Sequence, residues 1–166
     1  MDRASFKTLK GDGTRQALQA MTASGHVTGV LAYRDGVAVG WCSIGPRHEY
    51  AALESSRILK RIDNQPVWSI VCFFVRKSAR QSGNMRALVD GAVAHARANG
   101  AAIIEAYPLD LSCAPLAGQT LHGYAGYMGF VSAFESAGFV IAARASETQV
   151  IMRLTLPPSD RARSGV

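Results

Sequence analysis

Apolar residues recur in this chain in two patterns, short runs and a helical repeat, which together predict strands alternating with helices. Two apolar runs at 30–33 and 37–44 flank Asp35 and Gly36, a strong signal for the turn of a β-hairpin. The stretch PVWSIVCFFV at 66–75 is nearly continuous in apolar, β-branched and aromatic residues. Such a run predicts a central strand that is buried on both faces.

The clearest predicted helix follows that strand. Its apolar positions repeat at i, i+3, i+4 and i+7, and they are Met85, Leu88, Val89, Ala92, Val93 and Ala96. Asn99 and Gly100 end the helix, and AAIIEAYP at 101–108 reads as the next strand. Residues 67–107 therefore form a strand, a turn, a helix and a strand, which predicts a parallel pair joined by a right-handed crossover.

Weaker patterns lie on both sides of this unit. Thr14 could cap a helix that runs to about Ala23. Residues 49–62 have mixed helical spacing, with Leu53, Ile58 and Leu59 as candidate anchors. A short helix is predicted over about 126–137, and the apolar stretches at 139–146 and 149–156 predict a final antiparallel pair.

These elements predict an α/β, or α+β, fold in one domain. The sheet is expected to be mixed and mostly antiparallel, with about six strands and with helices on both faces. The domain is predicted to cover residues 1–156, and residues 157–166 are predicted to form a disordered tail that begins at two prolines.

Composition and charge exclude some classes of function. The 166 residues carry a formal net charge of +6, which suits an anionic ligand. The basic residues are spread along the chain rather than packed into one block, so no nucleic-acid partner is predicted. Three widely spaced cysteines without a CxxC motif argue against a disulfide scaffold and against a metal site.

The expected location is the cytoplasm, without a membrane anchor. The N-terminal residues lack the apolar core of a signal peptide. Residues 111–134 carry no Asp, Glu, Lys or Arg and are long enough to span a bilayer. Their proline, glutamine, histidine and four glycines instead favour a loop that leads into a helix.

The turn between the central strand and the clearest helix is the best candidate for a binding site. A strand that feeds a helix presents free backbone amides at the helix start, where the helix dipole adds partial positive charge. Gly83 would let a ligand approach closely, and Arg80 and Arg86 could add charged contacts. A plain turn with solvated basic residues would give the same local sequence.

The segment CFFVRKSARQSGNMRALVDGAVAHA at 72–96 resembles the acyl-CoA-binding core of the GNAT acyltransferase superfamily. The family signature is Arg or Gln, two residues, Gly, one residue, then Gly or Ala, and Arg80, Gly83 and Met85 occupy these positions. AFESAGF at 133–139 resembles a helix end of the family, and GWCSIGPR at 40–47 resembles a strand of one bacterial branch.

The resemblance implies an N-acetyltransferase that moves an acetyl group from acetyl-CoA to a primary amine by direct attack. The acceptor would be a small molecule or a protein amine, and the enzyme could act as a homodimer. The pyrophosphate of CoA would bind the backbone amides of the turn, the pantetheine arm would pair with the strand at 72–75, and an amide near Phe73 or Phe74 would polarise the acyl carbonyl. The implied cofactor-binding residues are Phe73, Phe74, Val75, Arg80, Gln81, Ser82, Gly83, Asn84, Met85 and Arg86.

The sequence departs from the family pattern at two positions, one in the turn and one in the helix end. Met85 stands where Gly or Ala is usual, and Phe134 stands where many relatives have the tyrosine that protonates the leaving thiolate. Tyr127, seven residues earlier on the same predicted helical face, could supply that acid or could simply pack under the loop. These departures leave an alternative function, a CoA-binding protein without chemistry that serves regulation or assembly.

Two further groups are candidates for the acceptor side. Glu105 interrupts an apolar strand and could be the general base, or it could be an outward-facing strand residue. Arg47, His48 and Glu54 could line the acceptor site or lie on the surface.

Overall fold

A computed structural model describes residues 12–25, 27–118 and 126–157. Residues 1–11 of the predicted domain, residues 119–125 of the predicted loop and residues 158–166 of the predicted tail lie outside the described residues. The helices are α1 (Asp12–Ala23), α2 (Ala51–Glu54), α3 (Asn84–Ala98) and α4 (Val131–Glu135). The strands are β1 (Val30–Arg34), β2 (Val37–Pro46), β3 (Trp68–Val75), β4 (Ile103–Ala106), β5 (Val140–Arg144) and β6 (Val150–Thr155).

Within the described residues, six strands form one mixed sheet in the order β1-β2-β3-β4-β6-β5. The β3–β4 pair is parallel, and the other four pairs are antiparallel. This confirms the predicted sheet, its hairpin and its parallel pair. The parallel pair places α3 as the crossover between its two strands.

Because successive side chains of a strand point to opposite faces, the buried apolar residues form two clusters, one on each face of the sheet. The larger cluster lies under α3 and α4, where Leu88, Val89 and Phe134 pack on Ile70 and Ile104. The smaller cluster lies on the other face and contains Leu53, Leu59, Tyr107 and Ile151. Helices therefore lie on both faces, as predicted, with α3 and α4 over the larger cluster and α2 contributing Leu53 to the smaller one.

Two of the predicted helices are much shorter in the structure. The helix predicted within residues 49–62 is limited to α2, and Ile58, a predicted anchor, is 58% exposed. The helix predicted over 126–137 is limited to α4, because Gly129 has a left-handed φ of 85° and Phe130 is extended. Within the described residues no helix is long and apolar enough to cross a membrane.

Candidate functional site

The parallel strands β3 and β4 stay paired over only three residues each, from Trp68↔Ile104 to Ile70↔Ala106. On its other edge β3 remains paired with β2 as far as Val75, with a shift of register between Ser43 and Ile44. The C-terminal half of β3 therefore has one edge that no strand of the sheet occupies. A gap of this kind exposes backbone amides and carbonyls to a ligand or a loop.

The turn after β3 leads to the start of α3 through two left-handed residues. Gln81 has a φ of 58° and Gly83, the residue that precedes α3, has a φ of 74°. Asn84 secures the turn, because its Nδ2 donates to the carbonyl of Ala79 at 2.6 Å. Among the described residues no group accepts a hydrogen bond from the backbone amides of residues 81–86. Several free donors therefore point out of the first turn of a helix, which is favourable for an anion.

A cavity of about 540 Å³ runs from this turn to the open edge of β3. Its lining includes most of the residues that the sequence predicted for cofactor binding, namely Phe73, Phe74, Val75, Arg80, Gln81, Gly83, Asn84 and Met85. Ala79, Gly126, Tyr127 and Phe130 complete the lining. The cavity is thus mostly apolar beside the strand and polar at the turn, as a long ligand with one anionic end requires.

Gly83 leaves the turn open on its outer side. A Cβ built at this position would have no atom within 4 Å, so a ligand can approach the backbone directly. Arg80 is exposed beside it and donates from Nε to the carbonyl of Val75 at 3.2 Å. The turn is therefore open on its outer side and favourable for an anionic group.

The side chain of Arg86 lies elsewhere, contrary to its predicted role in flanking the turn. Its Nε donates to both carboxylate oxygens of Asp90 at 2.9 and 3.0 Å, and its Nη1 donates to the carbonyl of Ser136. Ser82 and Arg86 do not line the cavity, so their contribution would come from backbone amides alone. Met85 packs partly on the core and lines the cavity without filling the turn.

Tyr127 lies in a turn before α4 and not on a helical face shared with Phe134, so that predicted relation is wrong. Its side chain is 47% exposed and lines the cavity. Its carbonyl accepts a hydrogen bond from the amide of Phe73 at 2.6 Å. Phe134 is completely buried, with edge-to-face contacts to Phe73 and Phe139. The structure therefore brings the Tyr127 phenol to the predicted site and keeps Phe134 in the core.

Glu105 does not line the cavity and is not an outward-facing residue. It is 1% exposed and lies on the face of the sheet opposite α3. Arg153 donates to its Oε1 at 2.9 Å, while Arg47 and the Tyr107 hydroxyl donate to its Oε2 at 3.1 and 2.9 Å. Burial, together with the Glu105 charge, raises the pKa of Tyr107, which favours the protonated phenol as the donor in this contact.

Arg47 is the centre of this buried network, although the sequence suggested an acceptor-site or surface residue. It is 1% exposed and also donates to Glu54 Oε1 at 2.8 Å and to the Leu59 carbonyl at 2.6 Å. Burial lowers its pKa, but Tyr107 and the two carboxylates raise it on balance above the ordinary value. His48 and Glu54 are exposed at this end of β2.

Sequence reasoning missed this network because its members are distant in the chain. Arg153 joins it to Asp63 through bonds of 2.6 and 3.0 Å, and these bonds lower the pKa of Asp63 to about 2. One pattern in the sequence could have indicated the network: Ser69, Glu105 and Arg153 are polar residues in otherwise apolar strands. In the sheet, Glu105 is paired with Ser69 on one side and with Arg153 on the other. Among the described residues no three acidic, histidine or cysteine side chains form a group that could hold a metal.

Comparison with known proteins places these observations in a family. The sequence profile described as "Acetyltransferase (GNAT) family" matches residues 3–113. No curated protein sequence matches the chain significantly.

Several solved structures share the fold. Ribosomal-protein-alanine N-acetyltransferase from Brucella melitensis is 19% identical, with a TM-score of 0.52, and the match covers 87% of this chain and 78% of that one. yncA from Salmonella typhimurium, solved with its cofactor acetyl-CoA, is 16% identical, with a TM-score of 0.53 and coverage of 87% and 74%. An N-acetyltransferase from Staphylococcus aureus Mu50 is 13% identical, with a TM-score of 0.53 and coverage of 88% and 77%. At these identities the likeness concerns the fold.

Proposed function

Because the chain belongs to the GNAT acetyltransferase family, we propose that it transfers the acetyl group of acetyl-CoA to a primary amine by direct attack. The observation that carries this proposal is the cavity that joins the free amides of residues 81–86 to the open edge of β3. The groups of CoA follow the same order as the cavity: the diphosphate is anionic like a ligand for the turn, and the pantetheine arm is amide-bearing and apolar like a ligand for the edge of β3.

The proposed cofactor contacts follow from the cavity lining. The amides of residues 81–86 and the Arg80 guanidinium would hold the pyrophosphate. The edge of β3 at Phe73 and Val75, with Phe74 and Met85 as apolar walls, would hold the pantetheine arm. When bound, acetyl-CoA supplies an activated thioester, and the protein's part is to orient it and stabilise charge.

Tyr127 is the proposed acid. Its side chain lines the cavity, on a segment that contacts β3 through the bond from the Phe73 amide to the Tyr127 carbonyl. A phenol on this wall would donate a hydrogen bond to a leaving thiolate within its reach. Full activity of a Tyr127→Phe variant would exclude this role.

Glu105 as the general base stays a prediction, and its surroundings favour a structural role instead. Both of its carboxylate oxygens already accept hydrogen bonds from arginines, and its side chain is buried away from the cavity. Loss of a general base typically lowers the rate about 10²–10⁴-fold. If Glu105 is structural, Glu105→Gln will lower stability but leave the pH–rate profile unchanged in shape.

The cofactor site can be tested with two matched glycine variants. Gly83 and Gly100 both have a left-handed φ and open space around a built Cβ, but Gly100 lies at the far end of α3. Gly83→Asp adds bulk and negative charge at the turn and is expected to weaken CoA binding strongly, whereas Gly100→Asp is expected to leave it near wild type. Isothermal titration calorimetry measures both, and equal affinities would remove the site from this turn.

A CoA-binding protein without chemistry is the second candidate. The burial of Phe134, where many family members use a phenol, is the observation that favours it. Release of the CoA thiol from acetyl-CoA, measured across a panel of amines, separates the two functions, because binding without turnover supports the second. The cytoplasmic location and a homodimer stay predictions.

A further inference from the structure

The segment 126–130, which we call the strap, lies in the gap that β4 leaves along β3. It contacts β3 through the Phe73 amide, which donates to the Tyr127 carbonyl at 2.6 Å. It contacts the chain after β4 through the Leu109 amide, which donates to the Gly129 carbonyl at 3.1 Å. The strap therefore takes the place of a strand between two segments that would otherwise be separated.

Close packing holds the strap in this position. Gly129 has a φ of 85°, and a Cβ built there would lie 2.9 Å from Phe134 Cε2 and 3.3 Å from Phe73 Cε2. Only glycine can pass over these two rings in this conformation without strain. The bond from the Gly129 amide to the Gly126 carbonyl, at 3.0 Å, closes the turn of the strap.

The strap uses a backbone group that a ligand on this edge would need. Successive amides in a strand point to opposite edges, so those of Phe73 and Val75 face the gap and that of Phe74 faces β2. Among the described residues no backbone group accepts from the Val75 amide, while the Phe73 amide is occupied. A pantetheine arm that pairs with both amides cannot do so while the Tyr127 carbonyl stays in place.

We propose that the strap and the pantetheine arm of the cofactor compete for the Phe73 amide, so that binding of CoA or acetyl-CoA moves the strap off β3. This inference rests on the proposed function. The strap-closed state is then a self-blocked form of the site, and the observed dissociation constant is the intrinsic one divided by the fraction of strap-open molecules. Loosening the strap should tighten cofactor binding, which is the opposite of what a purely structural wall would do.

Amide hydrogen exchange, resolved by NMR on the wild-type protein, tests the displacement directly. CoA is compared with 3′-phosphoadenosine 5′-diphosphate, its nucleotide half without the pantetheine arm. Both ligands should protect amides in the turn at 81–86. CoA alone should speed exchange at Leu109 and Gly129, the two amides bonded within the strap region, while Leu156, bonded to the Ala102 carbonyl, serves as the unchanged reference.

The outcomes separate this inference from the function on which it rests. Protection of the turn by CoA, with unchanged or slower exchange at Leu109 and Gly129, would overturn the strap proposal and leave the cofactor site standing. Absence of protection at the turn with either ligand would overturn both.

A glycine pair gives an independent test by affinity. Gly129→Ala disfavours the closed strap, and Gly138→Ala introduces the same left-handed strain (φ 87°) after α4, where a Cβ meets only Leu154 at 3.7 Å. The penalty for a non-glycine residue in this conformation predicts a roughly 5- to 30-fold tighter affinity for CoA in Gly129→Ala. Calorimetry should show no such gain for Gly138→Ala, and unchanged or weaker binding in a folded Gly129→Ala protein would refute the competition.

Discussion

Replacing Arg47 by methionine would test whether the buried charge network holds the second face of the sheet together. The side chain donates to two carboxylates, to the Tyr107 hydroxyl and to the carbonyls of Leu53 and Leu59. Methionine has a similar length and fills the volume, but it supplies none of these hydrogen bonds. The substitution would leave Glu105 buried with Arg153 as its remaining cationic partner.

The magnitude follows from what the change leaves behind. Removing one member of a buried ion pair typically costs about 3–5 kcal/mol, because the other charge stays desolvated. Loss of the donor to the Leu59 carbonyl acts in the same direction, since an unsatisfied buried acceptor costs about 1–3 kcal/mol. Relaxation of the 51–63 segment should offset part of this sum, so we expect a loss of about 3–5 kcal/mol in the free energy of unfolding at neutral pH. That is a large share of the roughly 5–15 kcal/mol of a typical domain.

Urea unfolding followed by tryptophan fluorescence measures the loss, since Trp68 lies in β3 beside the network residue Ser69. Arg61→Met is the matched control, because Arg61 binds Glu54 at the surface and an exposed ion pair contributes about 1 kcal/mol or less. Adding Glu105→Gln to Arg47→Met removes the stranded charge and should recover part of the stability. If Arg47→Met lost no more stability than Arg61→Met, the network would not be what holds this face.

Three further outcomes follow from the structure. The bonds from Arg153 lower the pKa of Asp63 from 3.8 to about 2, so the pair stabilises the fold above pH 3.8 and this stabilisation is lost as the pH falls toward 2. In acid unfolding, Asp63→Asn should therefore lose less stability than wild type between pH 3.8 and 2. Burial raises the pKa of Tyr50 from 10.0 to about 12, so its contribution to stability is complete below pH 10 and is lost as the pH rises toward 12. An ultraviolet difference titration should show a phenol that titrates near pH 12, and this component should be absent in Tyr50→Phe. Tyr127→Phe should slow acetyl transfer by about 10²-fold or less, at the lower end of the usual 10²–10⁴-fold range for loss of a general acid. CoA affinity, measured by calorimetry, should stay near wild type.

The elements that the sequence predicted well are those whose pattern is local. The apolar run of β3 extends over 8 residues and the helical repeat of α3 over 15, and in both elements burial in the fold agrees with the local pattern. The start of α3 was predictable for the same reason, since Gly83 directly precedes the helical repeat and has a left-handed φ of 74°.

The strap shows where local pattern was misleading. The apolar spacing at 126–137 is compatible with a helix, but Phe130 forms a bridge to Leu109 and Tyr127 bonds to Phe73. These partners lie 21 and 54 positions away in the chain, so no short window around residue 127 contains them. Tertiary pairing thus overrode helical spacing up to Phe130, and the helix begins only at Val131.

Arg47 shows the same limit for a charged residue. Its neighbours Pro46 and His48 indicate a loop at the surface, and arginine is rarely buried without a partner. The partner that permits its burial, Glu105, lies 58 positions away, on a strand that reads as apolar. A single sequence contains both residues but not their proximity.

The two ends of β3 consequently have separable functions. Its N-terminal half pairs with β4, and Ser69 ties it through Tyr107 to the buried charges, whereas its C-terminal half carries the edge on which the strap lies. Changes at Arg47 should therefore lower stability while the folded fraction keeps its CoA affinity, and Gly129→Ala should raise CoA affinity whereas Gly138→Ala should not. If both sets of variants changed stability and affinity in proportion, the charge network and the strap would belong to one cooperative unit, and the edge of β3 could not exchange partners independently of the sheet.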